Sequence, residues 1–176
     1  MIIFHTTFST RVGPFTAAVN ESGALVATAF GDLPALRARL FSAAHAVNFR
    51  SDAQRLRDVG AGLDAYFAGE SRTFSTPTSP AGSPFQQLVW AALRRIPHGQ
   101  TRSYGELARA LKTSARAIGR ANATNPICLI VPCHRVIGAD GSLTGFAFGE
   151  DLKRVLLEHE GGSFRKSPEV HSRISP

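Results

Sequence analysis

Residues 103–126 read SYGELARALKTSARAIGRANATNP, and this stretch sets the architecture of the second half of the chain. Ser103, followed three residues later by Glu106, is a capping box, so a helix is expected to start at Tyr104 and run through Leu107 and Leu111. Thr113 or Ser114 can cap a second helix over residues 115–123. Asn125-Pro126 closes it, because the residue before a proline is pushed out of the helical region. Two short helices across a tight turn predict a helix-turn-helix. Arg116 and Arg120 lie four apart, hence on one face, beside the small residues Ala115, Ala117, Gly119 and Ala121. Small side chains let a backbone approach another surface closely. On these residues alone two readings stay open: a helix that docks on a polyanion, or a solvated basic helix packed by Ile118.

Upstream, residues 85–95 have helical spacing, with Phe85, Leu88, Val89, Ala92 and Ile96 on one side and Pro97-His98-Gly99 as the stop. Residues 75–84 hold three prolines and almost nothing apolar, the composition of a connection. Before it, residues 1–9, 12–19 and 24–30 are expected as strands, with Asn20-Glu21-Ser22-Gly23 as a turn. Residues 33–45 suggest a helix on Leu33, Leu36 and Leu40. Asp52 suggests the cap of another helix, through Leu56, Val59, Leu63 and Phe67 to Gly69. The expected fold is therefore an α/β (α+β) N-terminal domain, residues 1–74, followed by a mostly helical C-terminal domain with a helix-turn-helix, residues 85–161. Residues 162–176 read as a disordered tail. The first half assembles no reactive cluster and reads as a scaffold.

Downstream of the helix pair, Ile127, Leu129, Ile130 and Val131 predict a buried strand that Pro132 stops. Cys133, His134 and Arg135 follow at once. Gly138-Ala139-Asp140-Gly141 is a turn with a hairpin signal. A buried thiol by itself is usually a small hydrophobe. An adjacent imidazole and a guanidinium two residues on can instead favour the thiolate, if the side chains meet.

The whole chain narrows the function classes. With 176 residues, 43% of them hydrophobic, there is enough apolar surface for an ordinary core. Twenty Lys and Arg against thirteen Asp and Glu give +7, which favours a polyanionic partner without proving one. No apolar run is long enough to span a bilayer, and the first residues, MIIFH, lack the pattern of a signal peptide, so a cytoplasmic location is expected. Cys128 and Cys133 sit too close in sequence to tie distant elements, so reduced thiols are expected. His5, His45 and His98 are scattered without a cysteine pair, so neither a metal nor another cofactor is expected.

Ile130-Val131-Pro132-Cys133-His134-Arg135-Val136-Ile137 resembles the active-site signature of the O6-alkylguanine-DNA alkyltransferases. The resemblance extends from Pro84 to Gly161. It includes Phe85-Gln86-Gln87-Leu88-Val89-Trp90, Ile96-Pro97-His98-Gly99, Ser103-Tyr104-Gly105-Glu106-Leu107-Ala108 and Arg116-Ala117-Ile118-Gly119. Asn125-Pro126, Gly141-Ser142-Leu143-Thr144-Gly145-Phe146 and residues 153–160 follow in the same order. The first half is similar only as an α/β domain of suitable size. Some members hold a structural zinc there; this chain has no cysteine in that half, so none is expected.

The resemblance implies single-turnover transfer of an alkyl group, chiefly methyl, from O6-alkylguanine in double-stranded DNA to Cys133. O4-alkylthymine is a further substrate it allows. It implies His134 as a base acting through water, Glu160 as its orienting carboxylate and Asn125 as the hinge holding the helix pair. Tyr104 would give a proton to the departing purine and help rotate the base out. Arg116 would fill the vacated stack from the minor groove, with Ser103, Tyr104, Gly105, Ala117 and Arg120 against the DNA. Val131, Val136, Phe146, Ala147, Phe148 and Cys128 would line the substrate pocket of a monomer. The chain departs from the family pattern in a short Tyr104–Arg116 spacing, in Cys128 where proline is frequent and in Phe148 where glycine is usual. The last two are expected to disfavour bulky adducts. Cys133 argues against the alkyltransferase-like proteins, which carry tryptophan there. The lack of a Cys-rich domain argues against a fused methylation-responsive activator. A cysteine hydrolase built on Cys133, His134 and Glu160 would need neither Tyr104 nor Arg116.

Overall fold

The computed structural model describes residues 1–40 and 47–164. Residues 41–45 of the helix expected over 33–45, and residues 165–176 of the tail expected over 162–176, lie outside the described residues. The fold is mixed α/β. Strands β1 (Ile2–Thr10), β2 (Gly13–Val19) and β3 (Leu25–Phe30) occupy the three stretches expected as strands and form an antiparallel meander. A fourth strand, β4 (Asn48–Ser51), pairs parallel with β1, giving the order β3-β2-β1-β4. β4 has no signature in the sequence, because four residues with one apolar side chain, Phe49, carry no period.

Helix α1 (Leu33–Arg39) is capped by Asp32, whose carboxylate accepts from the Ala35 amide. It buries Leu36 against Ile3, Ala18, Ala27 and Ala29 on one sheet face. The opposite face, with Phe15, Ala17, Val19 and Leu25, packs on Val59, Leu63 and Tyr66 of helix α2 (Arg57–Phe67) and continues into the second half. Asp52 does not cap α2. It accepts from the Arg55 amide and pairs with the Arg55 guanidinium at 3.3 Å, so it closes a turn, and α2 starts after Leu56 with no side-chain cap.

The outer edge of β3 would expose unpaired backbone groups. Two later segments cover it. The Leu25 amide donates to Pro77 O at 2.8 Å and Ser79 N to Leu25 O at 2.7 Å, so the Pro-rich connection lies along the strand. Thr28 N then donates to Pro126 O at 2.8 Å, and Thr28 Oγ1 to Cys128 O at 2.8 Å. The segment carrying both cysteines is thus docked on the sheet of the first half.

In the second half, helix α3 (Pro84–Arg94) has a full capping box from Ser83 and Gln86. Its buried face is Val89, Trp90 and Leu93, whereas Phe85 and Leu88 are exposed, against expectation. Trp90 sets the rotation: it carries the largest ring, and its indole N–H finds the Ala121 carbonyl at 2.8 Å. A two-residue strand, β5 (Arg102–Ser103), leads into helix α4 (Tyr104–Ala110), where the Ser103–Glu106 capping box forms as the sequence indicates. Lys112 takes a left-handed φ of 52° in the turn, and Ser114 caps helix α5 (Ala115–Ala123). Helix α6 (Glu150–His159) closes this half. Residues 127–131 are not the expected strand. They form isolated bridges, Thr28 to Ile127 and Cys128 to Val131, around Leu129 at φ 71°. Asp140-Gly141 makes a tight turn but no hairpin, because strand β6 (Val136–Ile137) pairs in parallel with β5 instead. Among the described residues no helix is long and apolar enough to cross a membrane.

Candidate functional site

Asn125 shapes the reactive segment. It is fully buried; its side-chain amide donates to Val131 O at 2.9 Å, and its Oδ1 accepts from Ile127 N at 3.0 Å. Both bonds close the loop 125–131 on itself, satisfying polar backbone that would otherwise be buried unpaired. The Cys133 amide donates to Val131 O at 2.8 Å and starts a single 3-10 turn, Cys133–Arg135. Asn122 of α5 reaches the Cys133 carbonyl at 3.3 Å, tying the helix pair to that turn.

The turn directs its side chains to different places. His134 is wholly buried, and its Nε2 meets Glu160 Oε1 at 2.8 Å. Arg135 also turns to Glu160, with Nε at 2.8 Å from Oε2 and Nη2 at 2.9 Å from Oε1, while Nη1 donates to Ile96 O. The guanidinium therefore serves the carboxylate rather than the thiol. A fourth side chain joins from the first half: the Tyr66 hydroxyl donates to Glu160 Oε1 at 2.8 Å. Gly99 N approaches Oε2 at 3.5 Å. Gly99 sits at φ +78°, and a Cβ there would lie 2.8 Å from Glu160 O, so only glycine lets this loop close over the end of α6. Burial raises the Glu160 pKa, but the bonds from His134 and Arg135 more than offset it, and the carboxyl is held well below its usual range. Burial pushes His134 down against the pull of Glu160. With Nε2 on Glu160, Nδ1 is buried without a hydrogen-bond partner among the described residues.

Burial pushes the Cys133 thiol up; the Asn125 side chain and the cations of Arg39 and Lys153 pull it back. Neither cation was singled out from the sequence. Arg39 comes from α1, donates to Ala123 O and Asn125 O, and lies over the Phe148 ring at 5.3 Å. Lys153 of α6 is fully buried, and its ammonium donates to Val136 O and Thr144 O. Burial lowers its pKa to about 8, with Cys133 and Glu150 opposing.

Tyr104, at the start of α4, is half-buried and donates to Thr144 O at 3.0 Å. Burial and then the charge of Cys133 raise its pKa to about 12, so it holds its proton beside the thiol. Gly145, at φ +84°, lets the next loop pass: a Cβ there would lie 2.6 Å from the Tyr104 hydroxyl. Arg102, Arg109, Lys112, Arg116 and Arg120 are exposed along α4 and α5, with Ser103, Gly105 and Ala117 half-buried among them. Val131, Val136 and Cys128 are buried, Phe146 and Phe148 half-buried, and Ala147 exposed. The Phe148 ring rests on Phe30 at 5.3 Å and Phe146 at 5.6 Å. Cys128 Sγ lies 3.3 Å from Thr28 Oγ1. The site as a whole offers a buried thiol, an imidazole–carboxylate pair, a neutral phenol and an outer basic surface.

Two family models match the chain: 6-O-methylguanine DNA methyltransferase, ribonuclease-like domain, over residues 3–80, and 6-O-methylguanine DNA methyltransferase, DNA binding domain, over residues 84–162. A methylated-DNA–protein-cysteine methyltransferase of Methanosarcina acetivorans is 52% identical over 107 residues, 60% of this chain and 69% of that protein. The crystal structure of Mycobacterium tuberculosis OGT in complex with DNA superposes with a TM-score of 0.78 at 39% identity, covering 92% of this chain and 93% of that one. The O6-methylguanine-DNA methyltransferase of Pyrococcus kodakaraensis gives 0.71 at 27% identity, covering 90% and 99%.

Proposed function

The chain belongs to the 6-O-methylguanine DNA methyltransferase family and repairs DNA by moving an alkyl group onto one of its own cysteines, and from that premise we propose that Cys133 is the acceptor. The observation that carries this assignment is the buried pair of His134 and Glu160 at 2.8 Å, with His134 next to Cys133 on one turn and Glu160 at the end of α6. The resting thiol is protonated, so the reaction needs a base. His134 takes the proton through a bridging water at Nδ1, and Glu160 stabilises the imidazolium. The thiolate attacks the alkyl carbon, a carbon–sulfur bond forms, and the carbon–oxygen bond breaks with its electron pair going to the purine. Tyr104 supplies a proton to that purine, and the proton from Cys133 restores the balance. A thioether does not hydrolyse under mild conditions, so each chain acts once.

A base inside a duplex is out of reach of a buried thiol, so the reaction requires flipping, at a cost of a few kcal/mol. The helix pair α4–α5 acts as a helix-turn-helix that recovers this cost through phosphate contacts. Its small residues lie in the minor groove, and Arg116 fills the vacated stack. Residues 1–74 and 85–161 act as two domains joined by residues 75–84, in a cytoplasmic monomer. Methyl-labelled DNA, followed by denaturing gel analysis, tests the assignment. Label should appear on the wild type, at no more than one group per chain, and be absent from Cys133→Ala. Repeated turnover in excess substrate would point to a cysteine hydrolase instead.

A further inference from the structure

Tyr66 belongs to the half of the chain that reads as scaffold, yet its hydroxyl reaches the carboxylate of the relay. The residue is 1% exposed. Its ring is clamped by Phe67, Phe74, His98 and His159 at centroid distances of 5.0, 5.5, 6.0 and 5.0 Å, and the His159 ring bonds the Tyr66 carbonyl. Packing alone would be served by phenylalanine, the residue at both 67 and 74. A phenol in such a place costs stability unless its hydrogen bond is made. That bond is made to Glu160 Oε1, the same oxygen that receives His134.

We propose that Tyr66 is a positioning residue for alkyl transfer, acting through Glu160: it occupies part of the hydrogen-bonding capacity of Oε1 and so sets how strongly the carboxylate draws on His134. The proposal rests on the Cys133–His134–Glu160 relay. The carboxylate is already fixed in orientation by two bonds from Arg135, so loss of the phenol does not free it to turn. Its negative charge is instead shared among fewer donors. Other groups facing this cluster are His98 from the loop after α3, His159 of α6, Arg72 near His98, and Lys153 near His134. None of these forms a side-chain hydrogen bond to Glu160 among the described residues.

The sign follows. Without the phenol, Oε1 draws harder on the His134 N–H, the imidazolium is favoured, and Cys133 gives up its proton more easily. Tyr66→Phe should move the pH midpoint of methyl transfer from DNA downward by roughly half a unit, about a threefold effect on the acid limb. Glu160→Gln should move it upward, because the carboxylate charge is lost. In the Glu160→Gln background, Tyr66→Phe should add no shift. A midpoint unmoved by Glu160→Gln would remove the relay itself. A midpoint moved by Glu160→Gln but not by Tyr66→Phe, or moved upward by Tyr66→Phe, would overturn the role of Tyr66 alone. So would a Tyr66→Phe shift that persists in the Glu160→Gln background. If Tyr66→Phe does not fold, fluorotyrosine labelling replaces it. The chain has two tyrosines, and Tyr104→Phe assigns the signals. The Tyr66 fluorine signal should move on Glu160→Gln; an unmoved signal overturns the proposal.

Discussion

Cys128 and Cys133 lie five residues apart on one segment, and both are free and buried, yet their surroundings differ. Cys128 faces the neutral Thr28, and burial together with the neighbouring Cys133 raises it to about 12. Cys133 is also raised by burial, but Asn125, Arg39 and Lys153 oppose that, and the next residue is a histidine bonded to a carboxylate. Burial therefore makes both groups resting thiols. The difference is that Arg39 acts on both thiols, whereas only Cys133 also has Lys153 and a neighbouring imidazole bonded to a carboxylate. On the proposed assignment, the nucleophile is distinguished by the groups around it once its proton leaves, rather than by an already ionised sulfur.

The widest separation between the two thiols should come from removing them in turn. Cys133→Ala should abolish methyl transfer, by at least about a thousandfold, while keeping DNA affinity, because a thiol contributes little to binding. Residual transfer to Cys128 in that variant would break the comparison at its root. Next comes the proton needed at the far end of the displacement. Tyr104→Phe should slow the single-turnover chemical step roughly 10- to 100-fold, with the pH midpoint of Cys133 unmoved, since a neutral phenol is replaced by a neutral ring. A shifted midpoint would place Tyr104 among the groups that tune the thiol.

A smaller effect is expected at Lys153. Lys153→Met removes a cation that favours the thiolate, so the Cys133 midpoint should rise and transfer at pH 7 should fall about three- to tenfold. The gap should narrow above about pH 8, where wild-type Lys153 itself loses its proton. The same residue links stability to pH. Its folded pKa is lowered from 10.5 to about 8, so between those values the unfolded chain binds more protons than the folded one. Wild-type stability relative to Lys153→Met should therefore rise from pH 8 to 10.5, as followed by chemical denaturation. A constant difference would mean that Lys153 is not neutral in that window.

The two halves of the molecule were unequally legible in sequence. The meeting of His134 and Glu160 could be expected in advance, and the Ser103 capping box and the span of α5 were local signals that survive in the fold. What the sequence hid was contact across the chain. Tyr66 and Glu160 are 94 residues apart, and Thr28 and Cys128 are 100 apart. No periodicity encodes such pairs; the second arises because β3 needs an edge partner and residues 126–128 supply one. Arg39 looks like an ordinary basic residue near a helix end until two carbonyls of the second half are seen to accept from it. The expected strand at 127–131 failed for a related reason: an apolar run there buries itself by looping around Asn125 rather than by pairing.

The smallest effect should come from Cys128. Its side chain is wholly buried, and its carbonyl, which Cys128→Ala keeps, is what Thr28 Oγ1 holds at 2.8 Å. The substitution removes one sulfur from a packed site and leaves a small void, costing about 1 kcal/mol. For a chain of this length that lowers Tm by roughly 2–4 °C. Thr28 Oγ1 keeps its carbonyl partner, so no buried hydroxyl is orphaned and the cost should not grow further. Methyl transfer should still reach one group per chain, at a rate within about twofold of wild type, because no proton of the displacement passes through Cys128. A rate loss much larger than this, with Tm unchanged, would show that the second thiol takes part in the chemistry. A rate loss accompanied by a larger Tm drop would locate the fault in the docking of residues 126–128 on β3. The first outcome would make the two cysteines a functional pair; the second would keep them distinct and show how much the reactive segment depends on the sheet behind it.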